Sequence, residues 1–121
     1  MYYAILCYHD EAVVNAWSKE EDDAVLAKRA VVTNKLAAAG KLGPVARLMP
    51  TTAATTVRSG REPLVLDGPF AETKEQLLGF YLVDCQNLDE AVETARQLGR
   101  DECGAFEIRP LRLFWPEGKP A

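Results

Sequence analysis

Two segments of this chain are apolar on both parities of a strand, yet only two others carry the periodicity of a helix. Tyr2-Tyr3-Ala4-Ile5-Leu6-Cys7-Tyr8 ends abruptly in His9-Asp10-Glu11, and Leu77 to Cys85 repeats the pattern. Successive strand side chains point to opposite faces, so such runs describe strands buried on both. Helical spacing joins Val25, Val32, Leu36 and Ala39 in one broad stripe flanked by Ala24, Ala27 and Val31; Leu88, Ala91, Val92, Ala95 and Leu98 form the second. Two helices cover only one face of a sheet. The other would leave an apolar patch of several hundred Å², of the size that marks association. Each large side chain there is worth ~1.5–3 kcal/mol when removed from water. A second copy about a two-fold axis is the simplest cover, so a homodimer with its sheets face to face is expected. In the alternative, residues 41–66 fold back over that face in a monomer.

Local signals set the order of elements. Ser18 with Glu21 is a capping-box spacing, Gly40 stops the helix that follows, and Asn87 with Glu90 opens the second helix, which ends at Gly99. Residues 12–18, with Trp17, read as a loop. PVARLM (44–49) is a weak strand between prolines, and residues 54–59 and 63–67 form a hairpin around Gly60-Arg61. Residues 105–113 alternate as a strand with Pro110 near its end. This order predicts an α+β fold: a ferredoxin-like split β-α-β with an antiparallel sheet, an enlarged central hairpin and two helices on one face. It occupies residues 1–115 as one domain, with a loose tail at 116–121.

Composition excludes several classes of function. A net charge of −4 offers no basic face for nucleic acid. No run approaches the ~20 apolar residues of a membrane span. The first residues lack a basic flank and meet three polar residues too early for a signal peptide, which predicts a cytoplasmic protein. Cys7, Cys85 and Cys103 are far apart and read as buried free thiols. One histidine and no ligand spacing leave no metal site to expect, and without a Gly-rich phosphate loop no cofactor is expected either.

The segment Asp67-Gly68-Pro69-Phe70-Ala71-Glu72-Thr73-Lys74-Glu75-Gln76 is the most unusual. Asp67 ends an apolar strand, Gly68 permits a tight turn and Pro69 stiffens it. Thr73 with Gln76 predicts a helical turn from Lys74. A carboxylate held by a rigid corner suits a general base or a ligand-orienting group; alternatively Asp67 accepts backbone hydrogen bonds within its own turn. His9 meets Asp67 across the sheet rim if their strands lie side by side. Arg58 and Arg109, on strands, and Lys74 suit an anion. Asp10, Tyr8 and Phe70 complete the candidate ligand-binding set.

The chain resembles the YCII-related family, and within it the DGPF-domain branch. The resemblance rests on Asp67-Gly68-Pro69-Phe70 with its extension to Gln76, and on the strand Gly79-Phe80-Tyr81-Leu82-Val83. Further matches are Tyr8 with Asp10-Glu11, Ala54 to Arg58, Leu88-Asp89-Glu90-Ala91, and Glu107-Ile108-Arg109-Pro110. It implies the dimeric α/β-barrel form of the ferredoxin-like fold. The family is largely uncharacterised. Some members look like small-molecule enzymes with a histidine on the first helix paired to an aspartate, and one is a dehydrochlorinase acting on a hydroxylated aromatic. This sequence departs from that pattern, because residues 19–39 contain no histidine and His9 stands where the branch commonly has glycine.

Two functions follow as expectations. One is a small cofactor-free enzyme doing acid–base chemistry on a small organic molecule, with Asp67 and His9 catalytic and Lys74 or Arg58 as anion stabiliser. The other is a non-catalytic dimeric ligand-binding or regulatory module, which the resemblance links to sigma-factor regulation.

Overall fold

The structure, a computed structural model, describes residues 1–120. The chain runs β1 (Tyr2–His9), α1 (Glu11–Asn15), α2 (Lys19–Ala38), β2 (Leu42–Arg47), a 3-10 turn (Thr51–Ala53), β3 (Thr55–Arg58), β4 (Leu64–Asp67), β5 (Gln76–Asp84), α3 (Leu88–Leu98) and β6 (Ala105–Pro110). Four strands form one sheet in the order β2-β5-β1-β6, every pair antiparallel, while β3 and β4 pair only with each other.

The core lies between the large sheet and the helices. Tyr3, Ile5 and Cys7 of β1 face the same way as Tyr81 and Val83 of β5 and as Phe106 and Ile108 of β6, and they meet Ala91, Ala95 and Leu98 of α3. Val32 and Leu36 bring α2 onto the same cluster. The opposite face carries Leu6, Phe80 and Leu82, half-buried. It receives one local cover: the ring of Phe114, beyond β6, lies 4.5 Å from that of Tyr2.

Several expectations are corrected here. The sheet is open, with β2 and β6 at opposite edges, so the chain forms no barrel and no closed sheet. Closure requires the two edge strands to pair, and two other strands separate them. The architecture is a mixed α+β fold with antiparallel sheets. The central hairpin is a separate two-stranded sheet, and segment 41–66 does not fold over the open face: it first extends the sheet as β2 and then leaves it as the hairpin. Residues 11–15 are helical because Asp10 caps them, its carboxylate accepting a hydrogen bond from the Ala12 N–H at 2.9 Å. Thr73 starts no helix, since Gln76 already belongs to β5 and its side-chain amide donates back to the Thr73 carbonyl at 2.6 Å. No residue of α2 is fully buried, and Leu26 and Val31 are exposed, so its apolar residues ring the helix instead of forming one stripe. Residue 121 of the expected loose tail lies outside the described residues.

The cap of α2 behaves as its spacing predicts. The Ser18 hydroxyl accepts from the Glu21 N–H at 3.1 Å, and the Ser18 N–H donates to the Glu21 carboxylate at 3.2 Å. Ser18→Ala removes one acceptor from an end with four unpaired N–H groups, and a loss of about 1 kcal/mol in urea unfolding is the expected result. At α3 the reciprocal bond is displaced by one residue. Asn87 accepts from the Glu90 N–H at 2.9 Å, but Glu90 accepts from the Gln86 N–H at 3.1 Å and also pairs with Lys41 at 2.7 Å.

Candidate functional site

The sheet alternation breaks where β1 meets β5. Cys7 pairs with Gly79 but Tyr8 pairs with Leu77, which leaves Leu78 as an extra residue on β5. Such bulges disturb the pleat and re-aim side chains. Leu78, Gly79, Phe80 and Tyr81 all border a cavity of about 140 Å³ between the sheet, α1 and the first half of α2, although Phe80 pairs in register with Leu6 and so belongs to the opposite face. Trp17 and Val14 close one side, Val25, Leu26 and Arg29 of α2 form the roof, and His9, Glu102 and Phe106 complete the wall. Tethers hold α1 in place: the Glu11 N–H donates to Gln76 at 2.9 Å, and the Glu11 carboxylate accepts from the Thr51 N–H at 3.0 Å and from the Thr51 hydroxyl.

Two ion pairs belong to this cavity. Inside, Arg29 grips Glu102 through Nη2 at 2.6 Å and Nε at 3.2 Å, and its Nη1 donates to the Tyr81 hydroxyl at 3.4 Å. The guanidinium carbon also lies 5.4 Å from the centre of the Phe106 ring, a cation–π contact. A second pair joins α2 to β2: Arg47 donates to both carboxylate oxygens of Asp22, at 2.8 and 3.1 Å. These hydrogen bonds hold the Asp22 carboxyl below its ordinary range.

His9 is the odd group. Its ring stands edge-on to Trp17 with centroids 6.0 Å apart. Gly104 adjoins it, with φ at +97°; an added Cβ there would collide with the Tyr8 carbonyl oxygen and sit 3.1 Å from the imidazole Cδ2. Glycine there serves both the left-handed backbone and the ring. His9 Nδ1 is shielded from solvent and has no hydrogen-bond partner among the described residues.

Cys7 lines the cavity beside these groups. Burial pushes its thiol up to about 11, against a smaller downward pull from Arg29, so it stays a neutral thiol until pH approaches that value. Cys85 is buried too and is also raised by burial. Cys103 corrects the expectation of three buried thiols, because it is exposed in the connection between α3 and β6. Iodoacetamide at pH 8 is expected to label Cys103 first in the folded protein, with Cys7 and Cys85 labelled only after unfolding; peptide mass spectrometry reads the order.

Among the candidates read from the sequence, the structure brings together only His9 and Tyr8, both at the cavity. Asp67 ends β4 on the separate hairpin, exposed, and its carboxylate accepts no hydrogen bond among the described residues. Strands β1 and β4 do not pair, so the geometry required for a His9–Asp67 contact across a shared rim is absent. Arg58 is on β3, Lys74 follows the hairpin, and Phe70 is 75% exposed. Asp10 serves as the α1 cap. Arg109 pairs with Ala4 in register, which puts it on the sheet face away from the helices. Among the described residues no group of three His, Cys, Asp or Glu side chains is placed to hold a metal ion, and no helix is long and apolar enough to cross a membrane.

Arg29, Tyr81, Glu102 and Trp17 were not legible as site residues. One signal was available: Arg29 interrupts the helical stripe Val25, Val32 and Leu36 at helical spacing, which puts a charge on the face that packs inward. Its partner Glu102 is 73 positions away, beyond any local pattern.

The fold and site define an open-sheet α+β domain with a cavity of about 140 Å³ between helix and sheet. Residues 1–115 match the YCII-related domain, and the chain belongs to that family. It is 58% identical to an uncharacterized protein of Rhizobium meliloti (strain 1021) across the full length of both.

Proposed function

We propose that the protein binds a small organic molecule in the cavity between α2 and the sheet and transfers a proton on it through His9. One observation carries the reading: His9 Nδ1 is buried without a partner at the lining of a largely apolar cavity. An unsatisfied buried polar atom costs ~1–3 kcal/mol, which a hydrogen-bonding ligand recovers by displacing the side chains that cover it. Isomerisation, elimination and hydrolytic loss all need a proton-transfer group of this kind. Asp67 has no part in this reading, since it stands on another element. A thermal-shift screen of small cyclic and aromatic compounds tests it, followed by turnover assays on the binders. Turnover lost by a factor of ~10²–10⁴ in His9→Phe supports the reading, and turnover intact in that variant contradicts it. Binding without turnover of any hit favours the non-catalytic module instead, a reading supported by the mutual satisfaction of both cavity ion pairs.

Assembly rests on other residues. The β3–β4 hairpin exposes Val57 and Val65 on one face and Leu64 and Leu66 on the other. A two-stranded hairpin of this length is marginal without cover. We infer that this arm and the open sheet face, with Leu6, Phe80 and Leu82, are covered by a second copy of the chain. Sedimentation equilibrium at micromolar concentration is expected to give twice the 13.3 kDa chain mass; a single-chain particle overturns the inference.

A further inference from the structure

Three hydrogen-bond donors at the cavity have no acceptor among the described residues. A guanidinium carries five N–H donors. Arg29 commits two to Glu102 and one to the Tyr81 hydroxyl, leaving two without an acceptor among the described residues. Tyr81 accepts from Arg29, and its own phenolic proton has no acceptor there either. Tyr81 is 8% exposed and the Arg29 side chain 20%, so a ligand in the cavity competes with little water for these donors. Arg29 and Tyr81 both line the cavity, whose remaining wall is mostly apolar, with Val25, Leu26, Val45, Leu78 and Phe106. Donors concentrated in an apolar enclosure select a ligand with one acceptor oxygen on an apolar body.

The charge balance decides which oxygen. Glu102, its side chain 7% exposed, already neutralises Arg29 at 2.6 Å. A carboxylate ligand would bring a second anion beside that buried carboxylate, whereas a neutral carbonyl takes the N–H and O–H donors with no added charge. Size sets the body. A cavity of about 140 Å³ is close to the ~150 Å³ that accommodates a benzene ring. Resting on the cavity reading above, we propose that Arg29 and Tyr81 form a carbonyl-recognition site, and that the ligand is a neutral ketone, aldehyde or amide on a body the size of one six-membered ring. Glu102 is then the residue that excludes carboxylates.

Three probes of similar size separate the outcomes: acetophenone, ethylbenzene, which lacks the oxygen, and benzoate. Titration followed by ligand-observed NMR is expected to show acetophenone binding at least tenfold more tightly than either. Tyr81→Phe is expected to bring acetophenone within threefold of ethylbenzene. Glu102→Gln, which leaves the Arg29 charge uncompensated, is expected to reverse the order so that benzoate binds better than acetophenone. If ethylbenzene matches acetophenone in the native protein, the carbonyl site is overturned while the cavity reading survives. Preference for benzoate in the native protein overturns the role given to Glu102 and the neutral class with it. Binding of none of the three overturns both readings. If Glu102→Gln fails to fold, the Tyr81→Phe comparison still decides the proposal.

Discussion

Replacing Arg29 with alanine is expected to destabilise the protein by about 3–5 kcal/mol, because it strands the Glu102 carboxylate in a site where that side chain is 7% exposed. The loss comes less from attraction forgone than from a buried charge left unpaired. In urea the midpoint should fall without a change in slope. The account makes a sharper statement about the pair. Substituting both partners by apolar residues of similar volume, Arg29→Met with Glu102→Leu, should recover most of the loss, since neither charge is then buried alone. Carbonyl binding should not return with stability, because the guanidinium donors are gone and Tyr81 alone remains. A single Arg29→Ala variant within 1 kcal/mol of the native protein would mean that water reaches Glu102 freely and that the cavity is less enclosed than described.

Leu98→Ala is the second large effect, at about 2–5 kcal/mol. Leu98 is completely buried and ends α3, where it joins Ile5, Val83 and Ala95 in the cluster that fastens the helix to the sheet. Truncation loses transfer free energy and leaves a void that β1 and β5 cannot close, because each is held by strands on both sides. Thermal unfolding should drop by on the order of 10 °C for a domain of this size. A drop of under two degrees would show that α3 is loosely attached.

The parts of the fold written in local chemistry were legible. The double-parity runs mark the two central strands, since β1 and β5 are the pair flanked on both sides. Ser18, Gly40, Asn87 and Gly99 bracket the two long helices as their capping and stop chemistry requires. What escaped depends on contacts distant in sequence. An open sheet and a closed one share the same strand patterns, and only the positions of β2 and β6 at opposite edges separate them. A five-residue helix at Glu11–Asn15 has too few turns to show a period, and its one cue, Asp10, read equally well as a ligand. The candidate site escaped for a related reason. The Asp67-Gly68-Pro69-Phe70 corner stands out because its residue types are unusual, with Gly68 at φ +96° as a tight turn demands, but it lies on the hairpin away from the cavity. The cavity is assembled by a bulge at Leu78 and by an arginine whose partner arrives from beyond α3. His9 was legible as a candidate because it is the sole histidine; its placement against Trp17 and Gly104 was not.

Chemical-shift mapping with the tightest binder from the thermal-shift screen tests most directly whether the cavity, and not the hairpin corner, is where this protein works. The account predicts perturbation of the His9 imidazole nitrogens, the Trp17 indole N–H and the Arg29 Nε–H, with residues 67–73 unmoved. Perturbation centred on Asp67 to Thr73, with His9 and Trp17 silent, would contradict it.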